Sequence, residues 1–105
     1  MENMEDIEYV VSSLAKKFSP CRIYVFSVKK SENTGEITDF DVCVISGFSG
    51  FEGKEQAMKS AYTEIDSPIP FDLFLYTPEE FEEKLCIESS FASRVIRKGK
   101  CVYES

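Results

Sequence analysis

Three aspartates carry most of the chemistry this chain can offer. Asp39 and Asp41 flank Phe40 at the entry to the apolar run Val42-Cys43-Val44-Ile45, and Asp72 lies near the start of a later one, Phe71 to Tyr76. Acidic residues are depleted in strands, so acids at the mouths of apolar strands need a cause. A hard divalent cation such as Mg²⁺ supplies one, because it takes carboxylate oxygens. Without a cation, gathered carboxylates repel, and at least one holds its proton more tightly than usual. The chain has no histidine. Histidine general bases and Ser-His-Asp arrangements are therefore excluded, and catalysis would fall to carboxylates, Lys, Tyr, Ser, Cys or a metal. The plainer reading is that Asp39 and Asp72 are turn residues capping loops.

The surrounding pattern says which elements must hold these groups. Residues 4–18 have the helical period, with Ile7, Val10, Val11, Leu14 and Phe18 on one face, and Pro20 ends the helix. Residues 22–28 read as a strand, with Ile23 and Val25 facing one way and Tyr24 and Phe26 the other. A polar loop, residues 29–38, leads to a second strand over residues 40–46. The glycine-rich segment 47–53 reads as a turn or loop, and residues 54–65 as a helix burying Ala57, Met58, Ala61, Tyr62 and Ile65. The third strand is 70–76. Thr77, Pro78 and Glu80 then spell a capping box with proline in the first helical turn. A last helix spans about 89–98, opened by Ser89 or Ser90, with Phe91, Val95 and Ile96 inward and Gly99 at its end. Residues 101–103 suit a short edge strand. The order α-β-β-α-β-α-α-β predicts a single α+β (mixed α/β) domain.

Connection lengths predict how the strands pair. Residues 29–38 are too few for a crossover, so the first two strands are expected to be antiparallel neighbours. A helix joins the second to the third, which permits a parallel right-handed crossover. Alternation puts Asp39 and Asp41 on one face, about 6–7 Å apart. Asp72 shares a face with Phe74 and Tyr76. The three acids are thus expected at one end of one sheet.

Bulk properties narrow the function classes. The 105 residues carry 19 acidic and 12 basic groups, a formal net charge of -7. That balance disfavours non-specific nucleic-acid binding, which depends on cations neutralising phosphates. No run approaches the roughly 20 apolar residues of a membrane span. The acidic first residues do not resemble a signal peptide, so a cytoplasmic protein is expected. Cys21, Cys43, Cys86 and Cys101 are widely spaced and are expected to be free thiols rather than a zinc site.

Taken together, these residues resemble the minimal nucleotidyltransferases of the DNA polymerase beta superfamily. Members carry a strand ending in Gly-Ser, ten residues, Asp-x-Asp, and a third Asp on a later strand. Here Ser27-Val28 stands at the Gly-Ser position, Lys29 to Thr38 are the ten residues, and Asp39-Phe40-Asp41 is the Asp-x-Asp. Pro70-Phe71-Asp72-Leu73-Phe74 is similar to the third-carboxylate strand, and the tail from Val95 to Glu104 is similar to the end of these domains. The resemblance implies a nucleotidyltransferase-like fold and transfer of a nucleoside monophosphate from a triphosphate, commonly ATP, to a hydroxyl. It implies Asp39 and Asp41 as Mg²⁺ ligands and Asp72 as third ligand or general base. It also implies a helical partner protein, commonly of the HEPN type. The chain departs from the pattern where the phosphates are held. Ser27 adds a Cβ where glycine allows close approach, and Val28 has no hydroxyl. Ser27 and Lys29 are the remaining candidates for nucleotide contact there.

Three functions follow as expectations. One is a Mg²⁺-dependent nucleotidyltransferase. The second is a nucleotidyltransferase-like module without turnover that binds or neutralises a protein partner. The third is an unrelated α+β structural domain whose acids are only turn residues, which three acids far apart would support. Arg94, Arg97, Lys98 and Lys100 form a late basic cluster, expected chiefly to complement a helix C-terminus. Phe48 and Phe51, set among glycines, either fold onto the sheet or offer a partner contact.

Overall fold

The structure is a computed structural model that describes residues 3–105, apart from the side chains of Asn3 and Phe51. The reading of Phe51 therefore lies outside the described residues. Its elements are α1 (Asn3–Phe18), β1 (Arg22–Lys30), β2 (Ile37–Ile45), α2 (Gly50–Glu64), β3 (Phe71–Tyr76), α3 (Pro78–Leu85), α4 (Phe91–Lys98) and β4 (Lys100–Glu104). This is the α+β class expected, in the expected order. The strands form one mixed sheet, ordered β3-β2-β1-β4. β1 pairs antiparallel with β2 and β4, and β2 pairs parallel with β3.

Each face of the sheet buries its own core. On one face Ile23, Val25, Phe40, Val42, Val44, Leu73 and Leu75 pack with Ile7, Val10 and Leu14 of α1 and Ala57 and Ala61 of α2. On the other, Tyr24, Phe26, Cys43 and Ile45 pack with Phe81 of α3 and Ala92 and Val95 of α4. Strand alternation sorts these side chains, and both faces must be covered because both are apolar. Among the described residues no helix is long and apolar enough to cross a membrane.

Local chemistry explains where the elements stop. Thr77 Oγ1 accepts from the Glu80 N–H at 3.2 Å, and Glu80 Oε1 accepts from the Thr77 N–H at 3.0 Å, closing the capping box. Ser90, not Ser89, caps α4, accepting from the Ser93 N–H at 3.1 Å. Gly99 follows α4 for want of space, not for a left-handed turn. Its φ is -89°, and a Cβ there would stand 2.6 Å from the Val95 carbonyl oxygen and 3.2 Å from Phe26 Cβ.

Several boundaries differ from the sequence expectation. The strands around residues 29–38 reach further into that segment, leaving a turn of residues 31–36. Ser31 Oγ accepts from the Asn33 and Thr34 N–H groups, and Gly35 takes φ +76°. Helix α2 begins at Gly50 rather than 54, with Gly50 entering it at φ +69°. Tyr62 and Ile96, expected inside, are 45% and 41% exposed. Phe48 folds inward and meets Phe18 edge-on at 5.8 Å.

Candidate functional site

The parallel register of β2 and β3 sets Asp41 directly beside Asp72. Side chains level with each other on neighbouring strands share a face, and the strands lie about 4.8 Å apart. Here that is the face of Cys43 and Ile45, covered further along by α3 and α4. Beside the two acids, Phe26, Phe74 and Phe91 form an aromatic floor, with centroids 4.6–5.8 Å apart. Arg94 lies over Phe91, 5.7 Å from its centroid.

The two carboxyls interact. Asp41 holds its proton above the ordinary carboxylate range. Burial is the leading cause. The Asp72 charge adds to it, as do a hydrogen bond with the Asp72 side chain and the Asp39 charge, while Lys29 opposes them. A carboxyl that holds its proton more tightly than usual beside a second acid marks a site short of positive charge.

Asp39 is less closely held. It stands across from Lys29 in the β1–β2 register, and Lys29 Nζ lies 4.0 Å from its Oδ1. Among the described residues no three of the His, Cys, Asp and Glu side chains gather into a metal cage. The structure thus brings Asp41 and Asp72 together and turns Asp39 toward a lysine. Mg²⁺ often rests on one or two carboxylates and completes its shell with water and substrate phosphates. The pair suits a cation shared with a polyphosphate, and does not suit one held by protein alone.

A β-bulge brings Lys29 to these acids. Phe26 stands across from Asp41, but the next paired residue on β1 is Lys29, across from Asp39, with Ser27 and Val28 between. β1 therefore carries one extra residue. Plain alternation would put Lys29 on the face of Ile23 and Val25; the bulge moves it to the face of the acids. Ser27 makes the bulge by adopting φ +53°, a left-handed conformation that glycine takes without strain. A β-branched valine such as Val28 favours a regular strand. Instead the backbone keeps a glycine-like geometry with serine in place, and both Ser27 and Val28 are exposed.

One neighbour of the site escaped the sequence reading. The Tyr62 hydroxyl accepts from the Leu73 N–H at 2.7 Å, on the strand beside Asp72, and its ring lies 5.3 Å from Phe71. Its hydroxyl holds its proton more tightly than usual, through burial first and then the Asp72 and Asp41 charges. Helical spacing placed Tyr62 in the core, and no local signal announces its bond to a distant strand. The basic cluster also divides. Arg94 stacks on Phe91, Arg97 donates to the Glu88 carbonyl at 3.2 Å, and Lys98 and Lys100 line a groove on the other face.

The cysteines offer nothing comparable. All four are free, and burial pushes the Cys43 thiol up to about 12, so it stays protonated at neutral pH. Scanned against protein-family models the sequence matches none, and a search of curated proteins returns no match, so the reading of this site rests on its own geometry.

Proposed function

We propose that the chain is a minimal nucleotidyltransferase, which binds a nucleoside triphosphate with Mg²⁺ at the Asp41–Asp72 pair and transfers the nucleoside monophosphate to a hydroxyl acceptor. The observation that carries the reading is the side-by-side placement of these two acids on parallel strands, with Asp41 driven toward its protonated form. Asp41 and Asp72 would hold the cation, and Asp39 would add negative charge at its edge. When bound, Mg²⁺ supplies charge neutralisation on the phosphates and on the attacking and leaving oxygens.

The chain's own residues do the rest. Lys29, moved by the bulge to the face of the acids, offers a cation to the triphosphate. The left-handed turn at Ser27 keeps the backbone exposed for a phosphate, with a hydroxyl attached. In the transfer step the acceptor oxygen bonds to the α-phosphorus, the bond to pyrophosphate breaks, and Asp72 takes the acceptor proton. ATP is the expected donor, and free thiols fit the reducing cytoplasm where it is abundant.

A second reading keeps the fold and drops the turnover. Val28, exposed where a hydroxyl is expected, favours a module that binds and regulates a protein partner, as the helical HEPN-type partners of the resembled family suggest. Calorimetry separates the two, with Mg²⁺ and ATP titrated into the chain and into an Asp39→Asn, Asp41→Asn double variant. Saturable binding that needs Mg²⁺ and vanishes in the variant is expected. No heat at millimolar nucleotide would remove the enzyme reading and leave the binding module.

A further inference from the structure

We infer that the groove between α1 and β4, on the face of the sheet opposite the acids, is a docking site for an acidic amphipathic helix of a partner protein. The groove encloses about 900 Å³. Its walls are apolar, from Met4, Val11 and Ala15 on α1, Val28 on the bulge, and Val102 and Tyr103 on β4. Met4, Val28 and Val102 are 54%, 39% and 39% exposed, an apolar strip that folding leaves open to water.

Charge complementarity selects the occupant. The chain as a whole is acidic, at -7, yet Lys16, Lys98 and Lys100 line the groove against Glu8 alone. The ion pairs found among the described residues use Lys17, Lys29 and Lys54, and none uses these three. An apolar floor between unpaired cations calls for a ligand with an apolar stripe and acidic flanks.

Shape selects a helix. The α1 wall runs from Met4 to Lys16, roughly 18 Å at the helical rise, which matches about three turns of a second helix laid alongside. Strand addition is disfavoured, because β4 is a short edge strand that begins with lysine and carries a bulge between its pairings to Ile23 and Tyr24. A flat membrane surface would not enter a concavity, and a nucleic acid would leave the apolar walls uncovered. None of this depends on the Asp41–Asp72 site.

The probe is a synthetic four-turn peptide with leucine at helical spacing and glutamate on the flanks, titrated into the isotopically labelled chain. Amide shifts in α1 and β4 and saturable binding are expected. Lys98→Glu with Lys100→Glu should weaken binding at least tenfold without moving the thermal midpoint much, since both lysines are exposed. Met4→Glu, also exposed, should weaken it independently. The proposal fails if the α1 and β4 amides stay still at millimolar peptide, or if a peptide with lysine flanks binds equally well. It also fails if sedimentation shows a dimer that Met4→Glu dissolves, which would make a second copy the occupant. Binding to anionic vesicles in preference to the peptide would likewise overturn it.

Discussion

Asp41 sits where the sheet would not choose a charge. It is flanked in register by Phe26 on β1 and Asp72 on β3, and its proton is held above the ordinary value of 3.8. In the window just above that value the folded chain binds more protons than the unfolded one. Stability therefore falls as pH rises through the window, and the free protein at neutral pH carries the repulsion. Asp41→Asn should relieve roughly 0.2–1 kcal/mol, the scale of a like-charge cross-strand pair, and raise the thermal midpoint of the free protein. The same change should abolish Mg²⁺-dependent nucleotide binding. Thermal melts of variant and parent at pH 4 and pH 7 check the sign: the gain should appear at pH 7 and shrink at pH 4. Ser27 makes a second point at this scale. A left-handed residue with a Cβ costs about 1–2 kcal/mol, and glycine returns part of that as unfolded-chain entropy. Ser27→Gly should gain a net of about 0.5–1 kcal/mol in urea denaturation, and it restores the glycine of the resembled motif. Tighter Mg²⁺-nucleotide binding in that variant would mean the cradle is limited by the serine Cβ rather than lost.

At the scale of elements, most of the frame is legible because its signals are local. Thr77-Pro78-Glu79-Glu80 states the start of α3 in four residues, and both bonds of the capping box form. The short connection after β1 forces an antiparallel neighbour, and the helix after β2 permits a parallel one. Those two constraints bring Asp41 to Asp72 without any knowledge of the side chains between them. What is not legible is set by tertiary contact. The bulge at Ser27-Val28 appears only when β1 is laid against β2, and without it alternation assigns Lys29 to the wrong face. Tyr62 has the spacing of a core residue, yet reaches the edge of β3. Gly99 reads as a helix cap and is one, while the close approach of the Val95 carbonyl and of β1 has no local signal. Gly99→Ala would push a methyl to 2.6 Å from the Val95 carbonyl and 3.2 Å from Phe26 Cβ. The Val95 carbonyl and the Val25 carbonyl, the latter at 3.3 Å, are backbone and cannot yield as a flexible side chain would. The expected cost is about 1–3 kcal/mol, the range for overpacking, read as a lower urea midpoint with an unchanged slope.

The whole molecule divides its surfaces by the faces of one sheet. The acids gather on the α3–α4 face near the β1 bulge, and the basic apolar groove opens on the α1 face near the same bulge. A net charge of -7 then produces two separable responses to ions. Monovalent salt screens all exposed charges, with a screening length that falls from about 10 Å at 0.1 M to 3 Å at 1 M. It should raise the thermal midpoint of the parent chain, Asp41→Asn and Asp72→Asn by similar amounts. Mg²⁺ with a non-hydrolysable ATP analogue, compared at constant ionic strength, acts by mass action only where the folded state offers a site. At ten times the dissociation constant that linkage is worth about 1.4 kcal/mol, several degrees for a chain of this length. The parent should show this increment, and the two Asp variants should lose it while keeping their response to sodium chloride. Equal increments in all three proteins would mean that the cation acts on overall charge, and the Asp41–Asp72 pair would then be a local strain with no ligand to relieve it.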